Sequence, residues 1–165
     1  MMWEFRDVVL PLSRLGHLGA APCEYEFKVG KRLAIVGENG SGKTTFIKLL
    51  CRLYDPQEGQ ILLNGIDIRK YRYDDYMGIF SVVFQDFQLI CQPLGNNVAG
   101  SMEYDRDRAK KALIDAGFAD RLAAMKKGLD TMLYKNLSED GVEVSGGEAQ
   151  KIAIARALYK DAPFI

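Results

Sequence analysis

The segment GENGSGKTT at residues 37–45 has the residue types and the spacing of a phosphate-binding loop. Its glycines let the backbone curl so that successive N–H groups converge on phosphate oxygens, and the following helix directs the positive end of its dipole at the same anion. In such a loop Lys43 reaches the β- and γ-phosphates, and the Thr44 hydroxyl ligates Mg²⁺. The residues assigned to nucleotide binding are Gly37, Glu38, Asn39, Gly40, Ser41, Gly42, Lys43, Thr44 and Thr45.

A second candidate anion site lies in VSGGEAQK at residues 144–151. Ser145 followed three residues later by Glu148 forms a helix capping box. A capping box does not require Gly146 and Gly147 in the first turn, where each glycine weakens a helix by about 1 kcal/mol. The glycine pair therefore indicates that another backbone or a ligand approaches closely, and the bare N–H groups of this helix N-terminus can bind a phosphate.

The pattern along the chain predicts the elements that position these two segments. Apolar runs in the middle of the chain and alternating ones near its start indicate an α/β core with an antiparallel N-terminal section. Asn64 and Gly65 predict a tight hairpin turn. Predicted strands lie at 3–10, 24–28, 58–65 and 81–84, with another at the end of 28–37; predicted helices lie at 43–54, 73–79, 105–117 and 146–160.

Composition narrows the class of protein. A chain of 165 residues has the size of one domain. Its 22 basic and 22 acidic residues cancel, so bulk charge gives no reason to expect nucleic acid as a partner. Three scattered cysteines, Cys23, Cys51 and Cys91, lack metal-ligand spacing and indicate reduced core thiols. No apolar run is long enough for a membrane span, so we expect any membrane role to come through a partner or another part of the protein.

The order and spacing of these motifs resemble the nucleotide-binding domain of exporter-type ABC transporters. GENGSGKTT is similar to the family's Walker A motif, and VSGGE is similar to its LSGGQ signature, with Val144 for Leu and Glu148 for Gln. Gln85, after SVVF, matches the Q-loop glutamine. Further matches to exporter stretches are Asn97 in LGNNVAG, Glu139 and Gly141 before the signature, and Arg156 in KIAIARAL.

The resemblance implies a fold as well as motifs. That fold is an α/β P-loop NTPase core with a parallel central sheet, an N-terminal antiparallel β section and a helical signature subdomain, its C-terminal part missing. Residues 1–165 would be a single truncated ATP-binding domain. Within it, about 1–85 would hold the antiparallel section and phosphate-loop core, about 86–160 the signature subdomain, and 161–165 the start of the Walker B strand.

The resemblance also implies a mechanism that uses ATP and Mg²⁺. ATP held by residues 37–45 of one subunit would be covered by Ser145, Gly146, Gly147 and Glu148 of a second, giving a head-to-tail dimer. Lys43 and Gln85 would serve catalysis, with Gln85 contacting Mg²⁺ and the attacking water. Residues of about 84–104 would receive a transmembrane domain, placing the chain at the cytoplasmic face of a membrane; ordinary core is the alternative for 84–95.

Several positions depart from the family pattern. Leu12 stands where an aromatic side chain stacks on adenine, so we expect loose, purine-tolerant binding. The Glu148 charge would oppose a neighbouring triphosphate. Arg156 fits structural ion pairing at least as well as chemistry. The chain stops before the family's Asp-Glu pair, and His17 cannot replace the later histidine. We therefore expect this chain alone to be inactive in hydrolysis and marginally stable.

Two other functions remain open from the sequence. One is a non-transport ABC ATPase, although the short spacing between the two motifs excludes the chromosome-maintenance type. The other is a nucleotide-binding regulatory module without turnover, which fits the literal chain.

Overall fold

The computed structural model describes residues 2–9, 22–28, 34–56, 58–135 and 140–164. The chain divides into two compact units, Met1–Phe80 and Ser81–Ile165. The strands are β1 (Met2–Val9), β2 (Pro22–Lys28), β3 (Gln60–Leu63) and β4 (Ile66–Asp67). The helices are α1 (Lys43–Leu50), α2 (Tyr73–Gly78), α3 (Leu94–Ala99), α4 (Arg106–Asp115), α5 (Ala119–Ala124) and α6 (Gly146–Lys160), with short 3₁₀ turns at Ile68–Lys70 and Gly128–Asp130.

The first unit contains a four-stranded sheet in the order β2-β1-β3-β4, and every pairing in it is antiparallel. This confirms the predicted antiparallel N-terminal section. Asn64 and Gly65 join β3 to β4 with φ angles of 53° and 77°. Positive φ at both central residues is the signature of a type I′ turn, which matches the right-handed twist of the two strands. The predicted hairpin is therefore confirmed.

Two predicted strands are wrong in the described residues. Residues 34–38 and 81–84 have no regular secondary structure. Val36 is 88% exposed, and Val82 and Val83 are each 38% exposed. Apolar character makes a residue suitable for a buried strand, but only hydrogen bonds to a neighbouring strand create one. In the second unit, Ser81 N–H donates to the Phe164 carbonyl at 2.7 Å, and isolated bridges join Pro93 to Met132 and Leu133 to Val142, but residues 81–84 do not form a strand.

Helix α1 follows the phosphate loop and is anchored at its far end. The prediction of a helix to residue 54 is wrong, because α1 ends at Leu50 and Arg52 adopts a φ of 53°, which a helix does not allow. The Arg52 guanidinium donates to the Tyr71 carbonyl at 3.0 Å. The buried Tyr76 hydroxyl donates to the Leu50 carbonyl at 2.6 Å. These contacts fix the C-terminal end of α1 within the first unit.

The second unit is a helical bundle in which α3 and α4 pack against α6. Asp105 caps α4 by accepting from the Arg108 N–H at 3.0 Å, and Gly117 follows the helix with a φ of 76°. The predicted cap and terminator of this helix are thus confirmed. The buried core contains Leu94, Val98, Ala109, Ala112, Leu113, Phe118, Leu122, Met125, Leu129, Leu133, Ile152 and Ala155.

Candidate functional site

The phosphate loop delivers unpaired N–H groups at the start of α1. Gly40 and Gly42 have φ angles of 84° and 87°, in the left-handed region that glycine adopts without strain. Gly42 is the N-cap and offers no side-chain acceptor, and the first intrahelical bond runs from Phe46 N–H to the Gly42 carbonyl at 2.8 Å. The N–H groups of Lys43, Thr44 and Thr45 accordingly have no acceptor among the described residues. They can bind anionic oxygens.

The Lys43 ammonium is held beside the phosphate loop by hydrogen bonds to backbone carbonyls of that loop. Nζ donates to the carbonyls of Gly37 at 2.7 Å and Glu38 at 2.6 Å, and lies 3.4 Å from Ser41 Oγ. These contacts keep the charge beside the loop instead of extending it into solvent. A Cβ at Gly37 would lie 2.7 Å from Ser41 Oγ, so the Ser41 side chain would have to rotate away to admit one.

The side chains available as metal ligands suit Mg²⁺ bound together with a nucleotide, and not a metal ion held by protein side chains alone. In the described part of the chain no group of three or more His, Cys, Asp or Glu side chains is arranged to hold a metal ion. The exposed Thr44 hydroxyl has no hydrogen-bond partner there and is available as a ligand. Gln85 is exposed in a turn of the second unit. Mg²⁺ commonly takes one or two protein ligands together with phosphate oxygens, and the Thr44 hydroxyl fits that pattern.

The signature segment, residues 145–148, has the predicted capping box. Ser145 Oγ accepts from Glu148 N–H at 3.3 Å, and Glu148 Oε2 accepts from Ser145 N–H at 2.8 Å. The N–H groups of Gly146 and Gly147 have no acceptor among the described residues. A Cβ built at either glycine meets no described atom within 4 Å. Packing within the described chain therefore does not explain this glycine pair.

Glu148 also makes an ion pair with a residue that sequence reasoning missed. Arg121, on α5, places Nε 2.9 Å from Glu148 Oε1. The pKa of Glu148 lies below its usual value, chiefly because the Ser145 backbone N–H donates to the carboxylate, with a smaller contribution from Arg121. No local pattern connects these two residues, because they lie on different helices.

Asn97 and Arg156 form a buried hydrogen-bond network in the second unit. Asn97 is 1% exposed; its side chain accepts from Ile90 N–H at 2.9 Å and donates to the carbonyls of Ile90 at 2.9 Å and Gln92 at 3.1 Å. Arg156, on α6, donates to the Asn97 carbonyl at 2.9 Å. Of the two alternatives left open for Arg156, its contacts among the described residues are structural, but they are hydrogen bonds to backbone carbonyls and not an ion pair.

The predicted site residues fall into two groups. The phosphate loop lies in the first unit, and Gln85 and the signature segment lie in the second. Leu12 and Glu139 lie outside the described residues, so the predictions made for them stay predictions.

Comparison with known proteins gives a consistent set of matches. A family model described as ABC transporter matches residues 21–165. The ATP-dependent lipid A-core flippase of Paraburkholderia xenovorans is 39% identical over 165 residues, covering 98% of this chain and 27% of that protein. A β-(1→2)glucan export ATP-binding/permease protein of Rhizobium etli is 40% identical over 166 residues, covering 98% of this chain and 27% of that protein.

A solved structure agrees with these sequence matches. A bacterial Atm1-family ABC exporter with ATP bound superposes with a TM-score of 0.80 at 35% identity, covering 99% of this chain and 28% of that one. The chain thus spans roughly a quarter of the length of these proteins. None of the helices in the described ranges combines the length and apolar character needed to cross a bilayer.

Proposed function

The chain belongs to the ABC transporter family and has the ABC ATPase fold, and from this premise we propose that it is the ATP-binding domain of an exporter. It couples ATP binding and hydrolysis to movement of a substrate across a membrane. The observation that carries the proposal is the phosphate loop, in which three unpaired N–H groups and the Lys43 ammonium surround one helix N-terminus.

ATP binding follows from the chemistry of residues 37–45. The N–H groups of Lys43, Thr44 and Thr45 donate to phosphate oxygens, and the α1 dipole favours the negative charge. Lys43 Nζ exchanges a carbonyl acceptor for a β- or γ-phosphate oxygen. Glu38, Asn39 and Ser41 shape the loop between its glycines. Thr44 and Gln85 would hold Mg²⁺, which neutralises phosphate charge when bound.

A second copy of the domain completes the site. The open space at Gly146 and Gly147 and their unpaired N–H groups suit the close approach of a triphosphate bound to a partner. Ser145 through Glu148 would therefore cover the ATP of the other subunit in a head-to-tail dimer. ATP between the two surfaces stabilises the closed dimer, since it binds both of them.

The transmembrane partner would dock on residues of about 84–104. Two large apolar side chains in this range are exposed, Ile90 at 51% and Met102 at 74%. Exposed apolar side chains of this kind are found at sites of protein–protein contact. The domain would accordingly act at the cytoplasmic face of the membrane.

Removal of the Lys43 ammonium tests the proposal. In Lys43→Ala we expect ATP affinity to fall at least about tenfold, because one charge-assisted bond to the phosphates is lost. Lys48→Ala is the matched control, since Lys48 lies on the same helix with its ammonium over the Tyr54 ring. Binding of a fluorescent ATP analogue and phosphate release would be measured for both. Equal ATP affinity in the two variants would contradict the proposed site. If the protein as its cell produces it binds ATP but releases no phosphate, a regulatory module would be favoured.

A further inference from the structure

Glu148 creates an electrostatic problem at the proposed ATP interface. Its carboxylate lies in the first turn of α6, the turn assigned to cover a partner's triphosphate. Two negative groups at close range repel each other, and the repulsion is stronger where water is excluded. A glutamate at this position therefore needs a compensating cation if the interface is to close on ATP.

Arg121 supplies a cation in contact with that carboxylate. Its Nε lies 2.9 Å from Glu148 Oε1, while Glu148 Oε2 accepts from Ser145 N–H at 2.8 Å. Both carboxylate oxygens are thus engaged by groups of the same unit. Arg121 Nη2 also donates to the Glu143 carbonyl at 3.4 Å, which ties the guanidinium to the segment that precedes the signature.

The pair lies in a partly sheltered environment. The side chains of Arg121 and Glu148 are 39% and 26% exposed, so both are partly removed from water. The Arg121 Nε is buried and makes no hydrogen bond among the described residues, so its contact with Glu148 Oε1 at 2.9 Å is an ion pair without hydrogen-bond geometry. Pairs of this kind are screened less by salt than fully exposed ones.

We propose that Arg121 is a positioning residue for ATP sandwiching: it neutralises Glu148 and holds that carboxylate back against the Ser145 backbone, so that the first turn of α6 can approach a triphosphate. The inference rests on the proposed function, because it assumes that the signature segment covers ATP. It assigns to α5 a role that neither motif indicates.

A double-mutant comparison separates this role from a structural one. In Arg121→Ala, made in the protein as its cell produces it, we expect the KM for ATP to rise about fivefold, with the larger effect at low ionic strength, because the exposed Glu148 charge then repels the triphosphate. In a Glu148→Gln background, the same Arg121→Ala change should alter KM by less than about twofold, since no charge remains to neutralise. In Arg121→Lys the KM for ATP should stay close to that of the parent, because the positive charge is kept.

The matched control is Arg106→Ala. Arg106 is a more exposed arginine of the same unit, paired with Asp130 at 2.7 Å and not with the signature segment. We expect its loss to leave the KM for ATP and its salt dependence unchanged. Thermal unfolding of every variant would be measured, so that a folding defect is recognised directly.

Each outcome has a definite meaning. An undiminished effect of Arg121→Ala in the Glu148→Gln background would overturn the inference and show that Arg121 acts on the nucleotide or the fold itself. An unchanged KM in folded Arg121→Ala would also overturn it. If the parent protein itself shows no ATP turnover and no ATP-dependent association, the proposed function fails, whatever the variants do.

Discussion

At the residue scale, the Glu148 carboxylate takes part in two interactions. One carboxylate oxygen closes the capping box with Ser145, and the other faces Arg121. The capping role is evident from a three-residue spacing, and it is confirmed. Local sequence predicts a conflict between this carboxylate and a triphosphate, but it does not include the guanidinium that the fold brings from α5.

The lowered pKa of Glu148 gives a prediction for stability against pH. The ionised carboxylate is favoured in the folded state, so its stabilisation is fully present above its usual pKa of 4.5 and is lost as pH falls through the lower folded-state pKa. We expect the free energy of unfolding of the parent to exceed that of Glu148→Gln at neutral pH.

The comparison is made by urea denaturation at several pH values. The difference between parent and variant should shrink as pH falls from above 4.5 to well below it, because the carboxylate of the unfolded chain binds a proton at a higher pH than that of the folded chain. A difference that is constant across this range would contradict the assignment.

At the scale of elements, the Asn97 network connects α3, the segment at 88–93 and α6. Asn97 holds the backbone of Ile90 and Gln92, and Arg156 reaches from α6 to the carbonyls of Asn97 and Gln88. This arrangement places the segment proposed to receive the transmembrane domain in hydrogen-bond contact with the signature helix.

Asn97→Ala should be strongly destabilising. The substitution leaves Ile90 N–H and several carbonyls without their partner inside the unit, and we expect a loss of about 3 kcal/mol in the free energy of unfolding. Chemical denaturation would measure it.

The neighbouring Asn96→Ala is the control for this change. Asn96 is 7% exposed, and its amide donates to the Ser101 carbonyl at 3.1 Å and to the Met102 sulfur at 3.4 Å. Because fewer backbone groups depend on it, we expect a loss of only about 1 kcal/mol. Equal losses in the two variants would contradict the special role of Asn97.

At the scale of the whole molecule, each unit contributes one half of the proposed ATP site. The phosphate loop belongs to the first unit and the signature segment to the second. In a head-to-tail dimer, each ATP would contact the loop of one copy and the signature of the other. Two copies would therefore form two equivalent sites related by twofold symmetry.

Subunit complementation tests this arrangement. Both substitutions are made in the protein as its cell produces it. Lys43→Ala damages the loop, and Ser145→Ala damages the signature, so each variant alone has two defective sites and should show little ATP turnover. When the two are co-expressed in equal amounts, each mixed dimer has one intact site. Random mixing should restore about a quarter of parental turnover, provided the two sites act independently.

The control pairs Lys43→Ala with a subunit carrying both substitutions. No mixed dimer of this pair contains an intact site, so turnover should not recover. Recovery in the control, or its absence in the complementing mixture despite demonstrated mixed dimers, would exclude a shared site.

The sequence by itself determined the features that depend on short-range chemistry. The phosphate loop, the Asn64–Gly65 turn, the Asp105 cap and the Ser145 capping box each depend on residues within a few positions of one another, so spacing reveals them. The order of the two phosphate motifs also indicated the family that the comparisons show.

Only the tertiary structure decided features that depend on distant partners. Residues 34–38 and 81–84 are apolar but not strands, because a strand needs hydrogen-bonded neighbours that local sequence does not specify. Arg121 meets Glu148, and Arg156 meets the Asn97 carbonyl, through the packing of separate helices. The charge at the signature segment is therefore a property of the fold, since it is set by a guanidinium from another helix.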